Sequence, residues 1–119
     1  MWEVEYTDEF GAWWNKCTIG EQEDIAFVVR ALTAHGPNLK YPQSSGVIGS
    51  KFTHMRELRV QHRGEPYRIL YAFDPRRVAI LLIGGCKTGN DRWYDQHIKI
   101  ADVLYEAYLR EITHEVAYD

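Results

Sequence analysis

The spacing of apolar positions changes several times along the chain, and each change predicts an element. The opening "WEVEY" alternates Trp2, Val4 and Tyr6 with acids, the period-two pattern of a short strand. Thr7 followed by Asp8 and Glu9 reads as a helix start, with carboxylates where the helix dipole favours them. Phe10, Trp13, Trp14 and Cys17 then form a helical stripe, which Gly20 is expected to break. A second helix carries Ile25, Val28, Val29 and Leu32 on one face and stops before Gly36–Pro37, so the two helices read as a hairpin. Residues 36–53, rich in Gly, Pro and Ser, form a connection long enough to carry function or a short element of its own. Three strands follow over roughly 55–62, 66–73 and 77–84, joined by "HRGE" and "DPRR", with Pro75 suited to the second turn position. After "GGCKTGND", Tyr94, Ile98, Ala101, Tyr105, Tyr108 and Ile112 mark a long helix. The order β-α-α-β-β-β-α predicts an α+β fold with a mainly antiparallel sheet, and 119 residues predict one domain over 1–119.

Parity along the strands sorts the side chains by face. With Arg63–Gly64 at the centre of the first turn, Arg59 lies opposite Arg68. Leu58, Val60, Tyr67, Ile69, Tyr71 and Phe73 then share the core face, and the two arginines share the other. Opposed like charges cost roughly 0.2–1 kcal/mol. Either Glu57, on the same face, neutralises an arginine, or the pair awaits a phosphate gripped by the guanidinium fork. The third strand, "VAILLIGG", is apolar on both faces and is expected to be central, with Ile83 opposite Arg68 and Lys87 beyond it at the same parity. Arg92, Trp93 and Tyr94 open the last helix. Cations beside aromatic rings suit single-stranded RNA, and packing of the helix on the sheet is the other use for the two rings.

Charge sharpens this picture. The formal net charge is −3, yet residues 51–92 hold nine basic and four acidic side chains between acidic flanks. A basic middle of this kind either binds an anion locally or is simply balanced by its flanks. Cys17 and Cys86 are far apart and in no CxxC pattern, which points to a reducing cytoplasm and away from a disulfide framework. The five histidines show no ligand spacing, so neither a metal nor another cofactor is expected. No apolar run approaches the roughly 18 residues of a membrane span, and the acidic start is unlike a signal peptide.

The ordered series "GSKFTHMRELR", "YRILYAFD", "ILLIGGCKTG" and "DRWYDQHIKIADVLYEAYL" resembles the HigB-type branch of the RelE/ParE toxin superfamily, from the N-terminal strand through about Leu109. The resemblance implies a RelE-like fold and the toxin of a type II toxin–antitoxin pair. It further implies a ribosome-associated endoribonuclease that cleaves mRNA without a metal, by attack of a ribose 2′-hydroxyl on the adjacent phosphorus. A nearby helix-turn-helix antitoxin would silence it. On this resemblance Arg68 is the transition-state stabiliser, Lys87 holds the phosphate or assists proton transfer, Tyr94 stacks or helps activate the hydroxyl, and Arg59 supports the phosphate. Lys51 and Arg56 would track the RNA backbone, Arg92 and Trp93 would add a cation and a ring, and His54 is a candidate acid or base. Two departures stand out: Thr88 replaces a second basic residue after the lysine, and the flanks are acidic. The other functions the superfamily implies are inhibition of DNA gyrase, as in ParE relatives, and a nonenzymatic toxin remnant that binds an antitoxin.

Overall fold

A computed structural model describes residues 1–118, with side chains described as far as residue 114. The elements run β1 (Val4–Tyr6), α1 (Asp8–Lys16), α2 (Ile19–His35), a 3-10 turn (Gly36–Asn38), β2 (Ser44–Gly46), β3 (Arg56–His62), β4 (Glu65–Phe73), β5 (Ala79–Cys86) and α3 (Trp93–Tyr118). The five strands form one sheet in the order β1-β5-β4-β3-β2, antiparallel except for β1 beside β5. The α+β architecture and the helical hairpin agree with the sequence reading, and β2 is the short element inside the 36–53 connection.

Thr7 caps α1 by accepting the Phe10 N–H at 3.0 Å. The break between the first two helices falls at Cys17, not at Gly20 as expected. Thr18 opens α2 with a capping box, its hydroxyl accepting from the Glu21 N–H at 3.2 Å while the Glu21 carboxylate accepts the Thr18 N–H at 2.7 Å. Two satisfied N–H groups outweigh a glycine's weak helix propensity, so Gly20 sits inside the first turn of α2. Gly36 ends α2 at φ +55°, close under the Trp2 indole.

Both faces of the sheet are covered. Under α1 and α2, Phe10, Ile25, Leu32, Leu58, Ile69 and Tyr71 form one core. Under α3, Met55, Leu70, Ile80, Leu82, Ile98 and Tyr105 form a second. The face expected to be noncore is therefore mostly a second core. Glu57, Arg59 and Arg68, with Ser45 beside them, form a polar patch on it, beside the start of α3.

The β3–β4 register is the one the two-residue turn dictates. Arg63 (φ +50°) and Gly64 (φ +79°) both take positive φ, and Arg59 pairs with Arg68. The β4–β5 register differs from expectation. Arg68 faces Gly85, and Ile83 faces Leu70. The turn after Phe73 is wider than a two-residue turn, because the Asp74 carboxylate gathers the N–H groups of Arg76 (2.8 Å) and Val78 (3.1 Å), and a bulge at Leu70/Tyr71 adds a further shift. This register matters for the site. A Cβ on Gly85 would lie 2.8 Å from the Trp93 indole, and one on Gly84 would lie 2.4 Å from the Trp13 ring. The two bare positions let α3 and α1 close on opposite faces of β5, bringing the first turn of α3 beside Arg68.

Candidate functional site

Glu57 is the centre of the polar patch. It is 4% exposed and joins four elements. Its carboxylate accepts the Ser45 hydroxyl of β2 at 2.6 Å, an Arg59 N–H of β3 at 3.1 Å, and the Tyr94 hydroxyl of α3 at 2.6 Å. Arg68 of β4 completes the group, its Nε 3.6 Å from Glu57 Oε1. The arginine Nε also donates to the Tyr94 hydroxyl at 3.2 Å, and its Nη1 donates to the Tyr67 carbonyl at 2.9 Å. Arg68 is 6% exposed, so its fork is fixed before any ligand arrives. Burial, then the hydrogen bond to Glu57, holds the Tyr94 phenol above its ordinary pKa, so at neutral pH it is a hydroxyl able to donate and accept.

Lys87 is placed by a backbone N–H bond to the Pro66 carbonyl at 3.0 Å, which extends the β4–β5 ladder. Its Nζ lies 5.2 Å from the centre of the Tyr94 ring. Arg59 makes the matching contact at the other side, its guanidinium 5.1 Å from the centre of the Tyr41 ring. Thr88, at the position of the expected second basic residue, bonds Glu65. The site therefore holds Arg59, Arg68 and Lys87 against one carboxylate, which leaves a net positive patch.

The four expected catalytic residues, Arg68, Lys87, Tyr94 and Arg59, are brought together. The four expected RNA contacts are not. Trp93 is 2% exposed and stacks on His97 at 4.1 Å, so it packs α3 on the sheet and offers no ring to RNA. Arg56 belongs to the opposite parity and donates to Ser44 on the α2 side of the sheet, at 3.0 Å. Lys51 pairs with Glu106 at 3.2 Å, in a loop tied to Asp102, about 12 Å along α3 from Tyr94. Arg92 is exposed just before α3, without a carboxylate partner among the described residues. His54 bonds the Tyr105 hydroxyl at 3.0 Å and is no part of the patch. Sequence parity placed Glu57 on the right face but did not reveal it as the hub. Tyr41 was missed, its only signal being its place in the Gly/Pro/Ser-rich connection. Among the described residues no cluster of three or more His, Cys, Asp or Glu is arranged to hold a metal, and no helix is long and apolar enough to cross a membrane.

Residues 12–106 match the family described as phage derived protein Gp49-like. Two Mycobacterium tuberculosis (strain ATCC 25618 / H37Rv) proteins are similar over long stretches. One, provisionally named toxin HigB3, is 46% identical over 86 residues, covering 71% of this chain and 74% of the relative. The other, provisionally named toxin HigB2, is 37% identical over 106 residues, covering 87% of this chain but only 53% of the relative. Among solved structures, the isolated E. coli RelE toxin superposes with a TM-score of 0.60 at 12% identity, over 84% of this chain and 99% of RelE. The intact E. coli RelBE toxin–antitoxin complex gives a TM-score of 0.53, also at 12% identity, over 71% of this chain and 95% of that one. At such low identity these two show the fold alone, and the fold is RelE-like. With a family match over most of its length and a HigB relative at 46% identity, the chain belongs to the Gp49-like family, as a HigB-type toxin on a RelE-like fold.

Proposed function

We propose that this toxin is an mRNA endoribonuclease that acts on the ribosome, and that a cognate antitoxin silences it. The observation that carries the reading is the hydrogen-bonded group Arg68–Tyr94–Glu57, flanked by Lys87 and Arg59. Cleavage by a ribose 2′-hydroxyl needs a proton acceptor, a donor for the departing 5′-oxygen, and positive charge on the phosphorane. Tyr94 already donates to Glu57, so it takes the 2′-hydroxyl proton as it passes its own to the carboxylate. Arg68, with Arg59 beside it, meets the charge that develops on the nonbridging oxygens. The Lys87 ammonium gives its proton to the 5′-oxygen. The products are a 2′,3′-cyclic phosphate and a free 5′-hydroxyl, and no metal enters any step. An antitoxin partner is supported by the HigB relatives and by the fold shared with RelE of the RelBE complex; a helix-turn-helix protein encoded nearby is the expected form.

Expression of the chain in bacteria, with mRNA ends mapped in translated and untranslated messages, tests the proposal. New ends within translated messages are expected from wild type, fewer by a factor of 100 or more from Arg68→Ala. Tyr94→Phe keeps the ring but breaks the relay and falls with it. Intact mRNA, or equal cleavage by wild type and Arg68→Ala, would refute the assignment. Intact mRNA with lost gyrase supercoiling would assign the ParE-like activity instead.

A further inference from the structure

We infer that Tyr41 is a base-binding subsite, a platform on which a nucleotide next to the scissile phosphate of single-stranded RNA stacks. The inference rests on the reading of the patch as an RNA-cleaving site and names a contact that reading does not use.

Tyr41 is 72% exposed, whereas most of the described rings are buried or half-buried. Among the described residues the other well-exposed Phe, Trp or Tyr side chains, Tyr6 and Phe27, belong to β1 and α2, away from the patch. Tyr41 touches a site residue, with the Arg59 guanidinium over its ring. That guanidinium is itself pinned by Glu57, so the brace is part of the same network as Arg68.

The segment displaying the ring is tethered on both sides. Leu39 is buried in the α2-side core. The N–H groups of Gln43 and Ser44 both bond the Lys40 carbonyl at 3.1 Å, and the Arg59 N–H bonds the Gln43 carbonyl at 2.9 Å. Ser44 is fully buried and shares a 2.6 Å hydrogen bond with Tyr71. An exposed ring on an anchored turn loses little freedom on binding, which is what a stacking platform requires.

The arrangement also repeats. Arg59 over Tyr41 stands on one side of the buried Arg68–Glu57 pair, and Lys87 over Tyr94 on the other. Arg59 is on β3 and Lys87 directly follows β5, so their backbones are two strand spacings, roughly 10 Å, apart across the sheet and offset by two residues along it. Two cation-and-ring pairs flanking a buried guanidinium suit a short run of one strand, backbone phosphates on the cations and a base on the open face of Tyr41. Such stacking tolerates any base, with purines favoured by their larger face.

The test uses the full chain and a short RNA made throughout of 2′-O-methyl nucleotides, which binds but lacks the attacking hydroxyl. Affinity is measured by fluorescence anisotropy, free in solution and on ribosomes programmed with the RNA. Tyr41→Ala should bind roughly 5- to 150-fold more weakly, while Tyr41→Phe and Tyr41→Trp stay within about twofold of wild type. All three should melt like wild type. An abasic position at the stacked nucleotide should weaken wild type and leave Tyr41→Ala unchanged. Equal binding by wild type and Tyr41→Ala overturns the inference, as does a Tyr41→Phe defect equal to that of Tyr41→Ala, which would assign the effect to the hydroxyl. Cleavage that needs Arg68 but not Tyr41 sinks this inference alone. Binding that needs the Tyr41 ring, without cleavage of the 2′-hydroxyl form, sinks the nuclease reading alone.

Discussion

Glu57→Gln is the substitution that best tests whether the site is built around a buried ion pair. The change keeps the side chain's shape and removes its charge. Breaking a buried pair by removing one partner costs about 3–5 kcal/mol, because the other charge stays buried and uncompensated. Two features lower the figure here. Glutamine keeps an oxygen for the Tyr94 hydroxyl, and the Arg59 side chain, 29% exposed, regains water once released. The Arg68 side chain, 7% exposed, cannot. The expected loss is about 2–4 kcal/mol, which for a chain of this size lowers Tm by roughly 8–15 °C. Urea unfolding should show a lower midpoint with an unchanged slope. In a double-mutant cycle with Arg68→Met, the second substitution should cost far less in the Glu57→Gln background than in wild type. Inorganic phosphate should restore part of the lost stability, since it replaces the missing negative charge between two arginines. A loss under about 0.5 kcal/mol, or additivity within that margin, would show that the two charges are not coupled.

Three other outcomes follow from named contacts. Lys87→Ala should reduce the salt dependence of RNA binding, the slope of log affinity against log salt falling by about 0.7, the share of one single-strand phosphate; an unchanged slope would remove Lys87 from the phosphate path. Gly84→Ala drives a Cβ to 2.4 Å from the Trp13 ring and should cost about 1–3 kcal/mol in urea unfolding, largely relieved by Trp13→Leu, since the loss comes from overpacking. Burial pushes the Asp74 carboxyl up, but the Arg76 side chain, the Val78 N–H and the Tyr108 hydroxyl more than reverse it and hold it below its ordinary value. Its stabilisation is therefore present above about pH 4 and lost as pH falls through the folded-state value. Tm measured from pH 6 to pH 2 should decline, and Asp74→Asn should start lower and decline less; a parallel curve would contradict the assignment.

What the sequence disclosed depended on the range of the interaction involved. Arg59 opposite Arg68 was legible because a two-residue turn fixes the register and strand parity does the rest. The β4–β5 register was not, because it depends on how the Asp74 side chain collects N–H groups and on a bulge that no periodicity marks. The apolar stripe put Tyr94 ahead of Trp93 as the ring expected to pack, whereas the structure buries Trp93 and leaves Tyr94 half-buried. Adjacent helical positions point about 100° apart, and only the docking of α3 against Gly85 decides which ring is buried. Lys51 looked like a free cation because its partner, Glu106, lies 55 residues away. Glu57 was visible as a neutraliser of one arginine, but its bonds to Ser45 and Tyr94 join elements whose approach belongs to the folded chain.

The N-terminal edge of the sheet has a consequence for solubility. β5 is the most apolar strand, and β1, only three residues long, covers its outer side. Glu3 accepts the Ala79 N–H at 3.0 Å, and Thr7 closes the end by donating through its hydroxyl to the Leu82 carbonyl at 2.6 Å. Removing residues 1–7 would bare the N–H and carbonyl groups they now pair along "AILL" (79–82), a template for edge-to-edge pairing. A truncated chain should therefore assemble with itself and come out of solution as protein concentration rises. A tag placed before Trp2 is best separated from it by a flexible linker, so that β1 stays paired along β5.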